Sequence, residues 1–296
     1  MMNKYTDGQR MMLFSAIAYE PKDQIQSLVH SFSNGRWEVV WGPVETLDSS
    51  NLTYIAKSKF RNEYVLATRG ANKEPFSQWL DVVEDEMVDW TYIDTNNCPI
   101  FGEPRVAKSL MKDLNDVLTI SDHGPNLEGF FSELQFADKI SVTGHGSGGT
   151  LSPLIATWLD NLVFAKNPNL FGTIQPYSFA SQQPGNHDFE IHLDMVFPNG
   201  GVWSFSNKFD VISQPYKDLL DAIDIYKSEE ISCPSPLAEK VRTFYHKFSK
   251  NKAYLGSDGK QQKLNSSIMT NDYLQEVSYQ HSPVTYLQLL GVSVAA

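Results

Sequence analysis

A glycine-rich segment near the middle of the chain has the residue types and spacing of a turn that supports acyl-transfer chemistry. Residues 141–150 read Ser-Val-Thr-Gly-His-Gly-Ser-Gly-Gly-Thr. A predicted strand enters this turn and a strongly periodic apolar helix leaves it, which is the context of a nucleophile elbow. Small residues are needed on both sides because the nucleophile sits in a strained conformation against the adjacent strand and helix. The N-terminus of the following helix offers N–H groups and a positive dipole end to a developing oxyanion.

Other chemistries that use glycine-rich turns fit this segment less well. It lacks the Lys-Ser/Thr pair of a phosphate-binding P-loop, and its spacing differs from the dinucleotide-binding fingerprint. After such an elbow, the chain order expected for a hydrolytic triad is nucleophile, Asp, His. A lone Asp or His is commonly structural, so the prediction depends on the conjunction of the segments.

Several segments together resemble the fungal-type, or class 3, lipases of the α/β-hydrolase fold. The elbow of that family reads Gly-His-Ser-x-Gly-Gly, and residues 144–149 here read Gly-His-Gly-Ser-Gly-Gly, so four of the five fixed positions match. Four more segments resemble family segments in the same chain order, at residues 69–72, 178–189, 207–211 and 280–287. The resemblance covers most of the chain and implies hydrolysis of carboxylic esters, either acylglycerols or phospholipids, without a cofactor or a metal.

The resemblance also implies a role for individual residues. Asp210 corresponds to the acid and His281 to the base of a Ser-Asp-His triad. The backbone N–H groups of Ala71 and Ser147 correspond to the two donors of the oxyanion hole. His145 corresponds to a structural residue held under the elbow.

Gly146 stands where the family has its nucleophilic serine, and glycine has no hydroxyl with which to attack an ester. Three interpretations follow. Gly146 is an introduced change that silences an active lipase, or the protein is a natural pseudoenzyme that binds lipids or esters, or Ser147 acts as a shifted nucleophile. The intact acid and base segments favour the first. The third would put His145 two residues before the nucleophile, where a small residue is needed.

The hydrophobic pattern predicts the elements that would position these residues. The predicted strands are 37–41, 52–56, 64–68, 139–144, 174–179 and 202–206, and the predicted helices are 8–19, 79–90, 106–120, 150–162 and 188–196. Strands that alternate with helices indicate an α/β protein with a mostly parallel central sheet and helices on both faces. This is the α/β-hydrolase fold that the resemblance implies.

No stretch between these elements is long or polar enough to be a domain linker, so residues 1–296 are predicted to form a single domain. The irregular run 91–105 is a candidate lid, and the charged helical segment 217–250 is a candidate cap insertion. The alternative for each is an ordinary surface segment. The two cysteines, Cys98 and Cys233, are too few for a disulfide framework, and two separate thiols are favoured over one long-range bridge.

The charge balance restricts the partners that we expect. With 24 Lys and Arg against 35 Asp and Glu, the net charge is −11, which argues against nucleic acid and anionic membranes. The expected partner is a lipid or ester substrate, such as a neutral glyceride or zwitterionic phospholipid at a lipid–water interface. We recognise neither a transmembrane segment nor a signal peptide. The sequence therefore predicts a soluble protein, cytoplasmic or exported by another route, and leaves its oligomeric state open.

Overall fold

The structure is a computed structural model that describes residues 5–46, 51–70, 86–91, 102–121, 124–166, 172–197, 201–214, 218–251 and 261–293. Among these residues the strands are β1 (Trp37–Glu45), β2 (Leu52–Ser58), β3 (Glu63–Arg69), β4 (Met87–Asp89), β5 (Arg105–Ala107), β6 (Lys139–His145), β7 (Thr173–Phe179), β8 (Trp203–Asn207) and β9 (Gln261–Leu264).

Seven of these strands form a central sheet in the order β1-β2-β3-β6-β7-β8-β9. β1, β2 and β3 pair antiparallel, and every later pair in the sheet is parallel. β4 and β5 form a separate antiparallel pair. The prediction of a mostly parallel central sheet is therefore confirmed.

The helices in the described ranges are α1 (Asp7–Ile17), α2 (Ile25–Phe32), α3 (Lys108–Thr119), α4 (Leu127–Glu133), α5 (Ser147–Lys166), α6 (His187–Val196), α7 (Leu219–Ile223), α8 (Ser235–Asn251), α9 (Tyr273–His281) and α10 (Pro283–Leu289). A short 3-10 helix (Lys227–Glu229) lies between α7 and α8.

Helices cover both faces of the sheet because alternate strand residues enter two separate hydrophobic clusters. In β3, Tyr64 and Leu66 belong to the cluster that includes residues of α3, α4, α5 and α6. Val65 and Ala67 belong to the other cluster, with residues of α1, α2 and α10. Since successive side chains of a strand point to opposite faces, α3–α6 lie on one face and α1, α2 and α10 on the other.

A third hydrophobic cluster joins the predicted cap segment to the ends of the elements that carry the acid and the base. It includes residues of α7, α8 and α9 together with Val211 and Ile212, which directly follow Asp210. A capping role for residues 217–250 stays a prediction. Most of the predicted lid, residues 92–101 with Cys98, lies outside the described residues, as does Ala71.

Two element predictions were wrong in part. Residues 87–89, predicted to end a helix from 79 to 90, form strand β4, and residues 106–107, predicted to begin a helix, belong to β5. Val88 pairs directly with Val106 in this two-stranded ladder. Valine favours extended backbone. Three residues of each segment pair with one another, so the two segments form a short antiparallel ladder instead of helical turns. Residues 79–85 are outside the described ranges.

Candidate active site

The turn between β6 and α5 has the geometry of a nucleophile elbow, with Gly146 at its apex. β6 ends at His145, α5 begins at Ser147, and Gly146 between them has a φ of +60°. This left-handed conformation is strained for residues with a side chain and is typical of functional sites. The Gly146 N–H donates to the Phe179 carbonyl at 2.9 Å, and the Gly146 carbonyl accepts from the Thr150 N–H at 3.0 Å. The turn is thus anchored to β7 and to the first turn of α5.

The glycines around Gly146 are required by close backbone contacts, whereas Gly146 itself is not. A Cβ on Gly144 would lie 2.2 Å from the Gly148 carbonyl oxygen, and a Cβ on Gly148 would lie 2.2 Å from the Thr68 carbonyl oxygen. A Cβ on Gly146 would have two side-chain atoms as its nearest neighbours, His281 Nε2 at 3.2 Å and the Tyr19 hydroxyl at 3.4 Å. A small side chain at position 146 would therefore face His281, whose ring would have to shift by a few tenths of an ångström to accept it.

The acid and the base predicted from the sequence are in direct contact. His281 Nδ1 lies 2.9 Å from Asp210 Oδ2 and 3.1 Å from Oδ1. Asp210 is fully buried and accepts two further hydrogen bonds, from the Ile212 N–H at 3.0 Å and the Tyr286 hydroxyl at 2.8 Å. A carboxylate at Nδ1 favours the proton on that nitrogen, which leaves Nε2 as the basic atom facing position 146.

A buried polar network fixes the helix that carries His281 against the end of β8. The Asn207 side-chain amide donates to the Gln280 carbonyl at 3.0 Å and to its Oε1 at 2.6 Å. Gln280 in turn donates to the fully buried Glu276 carboxylate. Glu276 also accepts from the backbone N–H groups of Met269 and Thr270. Satisfied networks of this kind rigidify the elements that they join.

His145 lies beneath the elbow with only 1% of its surface exposed. Its ring packs against those of His281 at 5.0 Å, Tyr286 at 5.3 Å and Tyr19 at 5.7 Å between centroids. Burial lowers the pKa of His145 well below its usual value, and a positive charge on His281 would lower it further. A neutral, enclosed ring supports the structural role that the resemblance implied.

The Ser147 side chain lies beside the end of β3. A Cβ on Gly70 would lie 1.3 Å from Ser147 Oγ, so the hydroxyl lies against the residue that follows β3. The Ser147 N–H is in the first turn of α5, where N–H groups point out of the helix toward its N-terminus. This is the direction in which an oxyanion donor must point. The second expected donor, Ala71, falls just beyond the described residues.

Tyr19 is a residue of the site that the sequence analysis did not identify. It follows the C-terminus of α1, and its hydroxyl donates to the His145 carbonyl at 3.0 Å. Burial raises the pKa of Tyr19 far above its usual value, so the phenol stays protonated. In the sequence, Tyr19 was only the last member of an apolar helical pattern, and that pattern gives no sign of a functional contact. Within the described ranges, no three metal-ligating side chains lie together.

Comparisons with known proteins agree with this geometry. The profile of the family "Lipase (class 3)" matches residues 65–217, more than half of the chain. The crystal structure of M37 lipase is 25% identical, covers 97% of this chain and 94% of that chain, and superposes with a TM-score of 0.82. No curated protein sequence matches.

More distant solved structures share the fold. Lip2 lipase from Yarrowia lipolytica is 15% identical over 69% of this chain and 73% of that chain, with a TM-score of 0.53. A triacylglycerol lipase whose catalytic centre is described as a serine protease triad is 16% identical over 69% and 71%, with a TM-score of 0.50. In the parts of this chain that the structure describes, no helix is both long and apolar enough to cross a bilayer.

Proposed function

Because the chain belongs to the class 3 lipase family, we propose that its site is that of a carboxylic ester hydrolase for acylglycerols or phospholipids, silenced by glycine at the nucleophile position. One observation carries this proposal. A Cβ at position 146 would lie 3.2 Å from His281 Nε2, and Asp210 holds the other nitrogen of the same ring. The distance and the contact support the assignment of Asp210 and His281 as two members of a Ser-Asp-His triad whose third member is absent at position 146.

A serine at position 146 would complete the reaction site. Its Oγ would lie within hydrogen-bonding reach of His281 Nε2, which would accept the hydroxyl proton as Oγ attacks the ester carbonyl. Asp210 would stabilise the resulting imidazolium, and the N–H groups of Ser147 and Ala71 would stabilise the oxyanion. The imidazolium would then protonate the leaving alcohol, and water would hydrolyse the acyl-enzyme by the same path in reverse.

Two alternatives to a silenced hydrolase are a hydrolase that uses Ser147 and a pseudoenzyme that only binds its ligand. Ser147 carries a hydroxyl next to position 146, and that hydroxyl lies against Gly70, whereas a Cβ at position 146 would have His281 Nε2 as its nearest neighbour. A lipid- or ester-binding pseudoenzyme would need the fold and the site but no nucleophile. Retention of the buried Asp210–His281 contact favours a silenced enzyme, since a binding protein has no need of an oriented base.

The test is to introduce Gly146→Ser and to measure hydrolysis of p-nitrophenyl butyrate and of a medium-chain triglyceride. Loss of the serine from a comparable triad costs on the order of 10⁴ to 10⁶ in kcat, so we expect a gain of at least about 10³-fold. Gly146→Ser/His281→Ala, the matched control, should show no such gain. A folded Gly146→Ser protein without turnover on either ester would overturn the proposal and favour the binding protein.

The expected substrate charge can be tested with the same variant. The net charge of −11 should disfavour docking on anionic bilayers, so Gly146→Ser should hydrolyse zwitterionic phospholipid vesicles faster than anionic ones. Added salt should narrow the difference by screening the charges. Faster hydrolysis of anionic vesicles at low salt would contradict the expected substrate preference.

A further inference from the structure

We propose that Tyr19 is a positioning residue for the reaction at position 146, because its hydroxyl fixes the backbone from which the nucleophile must leave the elbow. This inference rests on the proposed function, since it names a residue that would set the rate of a serine at that position. Tyr19 takes part in none of the proton transfers of the proposed hydrolysis, so its role would be to place the reacting groups.

The peptide groups on either side of position 146 are held by hydrogen bonds from β7, from α5 and from the end of α1. The Gly146 N–H donates to the Phe179 carbonyl at 2.9 Å. The His145 carbonyl, in the same peptide group, accepts from the Tyr19 hydroxyl at 3.0 Å. In the next peptide group, the Gly146 carbonyl accepts from the Thr150 N–H at 3.0 Å and from its hydroxyl at 3.2 Å. The orientations of these two planar groups define φ and ψ of residue 146, and therefore the direction in which its Cβ leaves the backbone.

The Tyr19 hydroxyl also contacts the ring of His145. His145 Nδ1 lies 3.3 Å from the hydroxyl oxygen, and the two rings meet edge to face. Because a carbonyl oxygen can only accept, the tyrosine proton lies toward the His145 carbonyl, and the tyrosine oxygen can accept the Nδ1–H of the neutral imidazole. One hydroxyl thus holds both the backbone and the side chain of the residue before the nucleophile position.

Packing of α1 on β6 determines where the Tyr19 hydroxyl lies. Ser15, one helical turn before Tyr19, has its hydroxyl 2.9 Å from that of Thr143 in β6. The Thr143 hydroxyl also donates to the Met11 carbonyl at 3.3 Å. Beyond the C-terminus of α1, the Tyr19 N–H donates to the Ala16 carbonyl at 3.0 Å. A side chain supported in this way places a neighbouring group more precisely than one on a loop.

The same hydroxyl lies beside the point at which a nucleophile would be attached. A Cβ at position 146 would lie 3.4 Å from the Tyr19 oxygen, which is an ordinary van der Waals distance, and 3.2 Å from His281 Nε2. Burial raises the pKa of Tyr19, so the phenol stays protonated and does not compete with His281 for the serine proton. Without the hydroxyl, the peptide group between residues 145 and 146 would be free to tilt, and Oγ of a serine would move relative to Nε2.

The test introduces Tyr19→Phe into Gly146→Ser and measures hydrolysis of p-nitrophenyl butyrate. A displacement of about 1 Å can cost about 10²-fold in rate, so kcat should fall by about 10- to 100-fold. KM should change by less than about twofold, because the lost bond is made to the backbone of the protein and not to the substrate. The rate of labelling by a fluorophosphonate probe should fall with kcat. The pH dependence of kcat should stay the same, because the Asp210–His281 contact is kept.

Tyr54→Phe in the same background is the matched control. Tyr54 is fully buried, and its hydroxyl donates to the Phe14 carbonyl of α1 at 2.7 Å. Its removal therefore also costs one hydrogen bond from a tyrosine to a backbone carbonyl, but at residue 14 instead of at the elbow. The two phenylalanine variants should lower the melting temperature to a similar extent, whereas Tyr54→Phe should leave kcat and the labelling rate unchanged.

A second pair of variants separates the hydrogen bond from the packing of the ring, and it replaces Tyr19→Phe if that variant does not fold. p-Aminophenylalanine in place of Tyr19 keeps an N–H donor near the His145 carbonyl, so most of kcat should be recovered. p-Methylphenylalanine at the same position fills the space without a donor and should remain as slow as Tyr19→Phe.

Three results would overturn the inference: an unchanged kcat in Tyr19→Phe, equal losses of kcat in the two phenylalanine variants, or no difference between the two ring-substituted variants. The proposed function is judged by Gly146→Ser alone. If Gly146→Ser is active and Tyr19→Phe is equally active, only the inference fails. If a folded Gly146→Ser protein is inert, the proposed function fails and the inference fails with it.

Discussion

The Tyr286 hydroxyl connects the acid of the site to the backbone of β8, and its removal measures how firmly that acid is held. Tyr286 is fully buried. Its hydroxyl donates to Asp210 Oδ2 at 2.8 Å and accepts from the Asn207 N–H at 2.9 Å. Tyr286→Phe therefore removes one hydrogen bond to a carboxylate and leaves one buried backbone N–H without its acceptor.

The expected cost follows from these two bonds. A hydrogen bond to a charged group contributes about 1.5–3 kcal/mol, and a buried N–H left without an acceptor costs about 1–3 kcal/mol. Tyr286→Phe should therefore lower the free energy of unfolding by about 2.5–6 kcal/mol. Tyr54→Phe is the matched control because Tyr54 is also fully buried and donates to an uncharged group, the Phe14 carbonyl, at 2.7 Å. Its loss should cost about 0.5–1.5 kcal/mol.

Urea unfolding at pH 7, followed by far-UV circular dichroism and tryptophan fluorescence, measures both variants against the unaltered chain. We expect equal slopes and a midpoint for Tyr286→Phe clearly below that for Tyr54→Phe. In the Gly146→Ser background, Tyr286→Phe should also lower kcat more than it raises KM, because it loosens the acid and leaves substrate contacts alone. Equal midpoints for the two phenylalanine variants would refute the idea that Tyr286 holds a charged group in place.

Two further predictions concern the elbow. Because burial lowers the pKa of His145, the unfolded chain binds a proton below a pH of about 6.5 that the native protein excludes. The free energy of unfolding should therefore fall with decreasing pH by up to about 1.4 kcal/mol per pH unit. Urea unfolding at several pH values should show a shallower fall for His145→Phe. An unchanged dependence on pH would exclude His145 as the cause. Gly148→Ala should unfold at a temperature many degrees lower or fail to fold, because its Cβ would lie 2.2 Å from the Thr68 carbonyl oxygen. An unchanged melting temperature would mean that β3 and α5 can separate at little cost.

The elements that carry the site could be predicted because their signals are local. Residues 139–144 read as a strand and the apolar residues from Leu151 repeat at helical spacing, so the elbow between them followed from pattern alone. Each glycine at positions 144, 148 and 149 is explained by a backbone atom that its Cβ would strike. The pairing of Asp210 with His281 was expected from the resemblance and from the order of the segments along the chain.

The contacts that support the site come from residues far apart in the sequence, and no local pattern predicts them. Tyr19 reaches the elbow because α1 packs on β6, more than a hundred residues away in the sequence. Glu276 was not identified because a charged residue in a helical segment usually indicates a solvent-facing side, whereas here it is fully buried among donors. Strand β9, with its polar residues Gln261–Lys263, lacks the apolar pattern of a strand and forms by pairing along β8.

Mapping the adduct of a fluorophosphonate probe by mass spectrometry tests most directly the claim that position 146 is the nucleophile position of this site. Gly146→Ser should carry one adduct, on residue 146, and Gly146→Ser/His281→Ala should carry much less, because the serine there depends on the His281 base. The unaltered chain should carry none. An adduct on Ser147 in the unaltered chain, or a folded Gly146→Ser protein that is not labelled, would contradict the account.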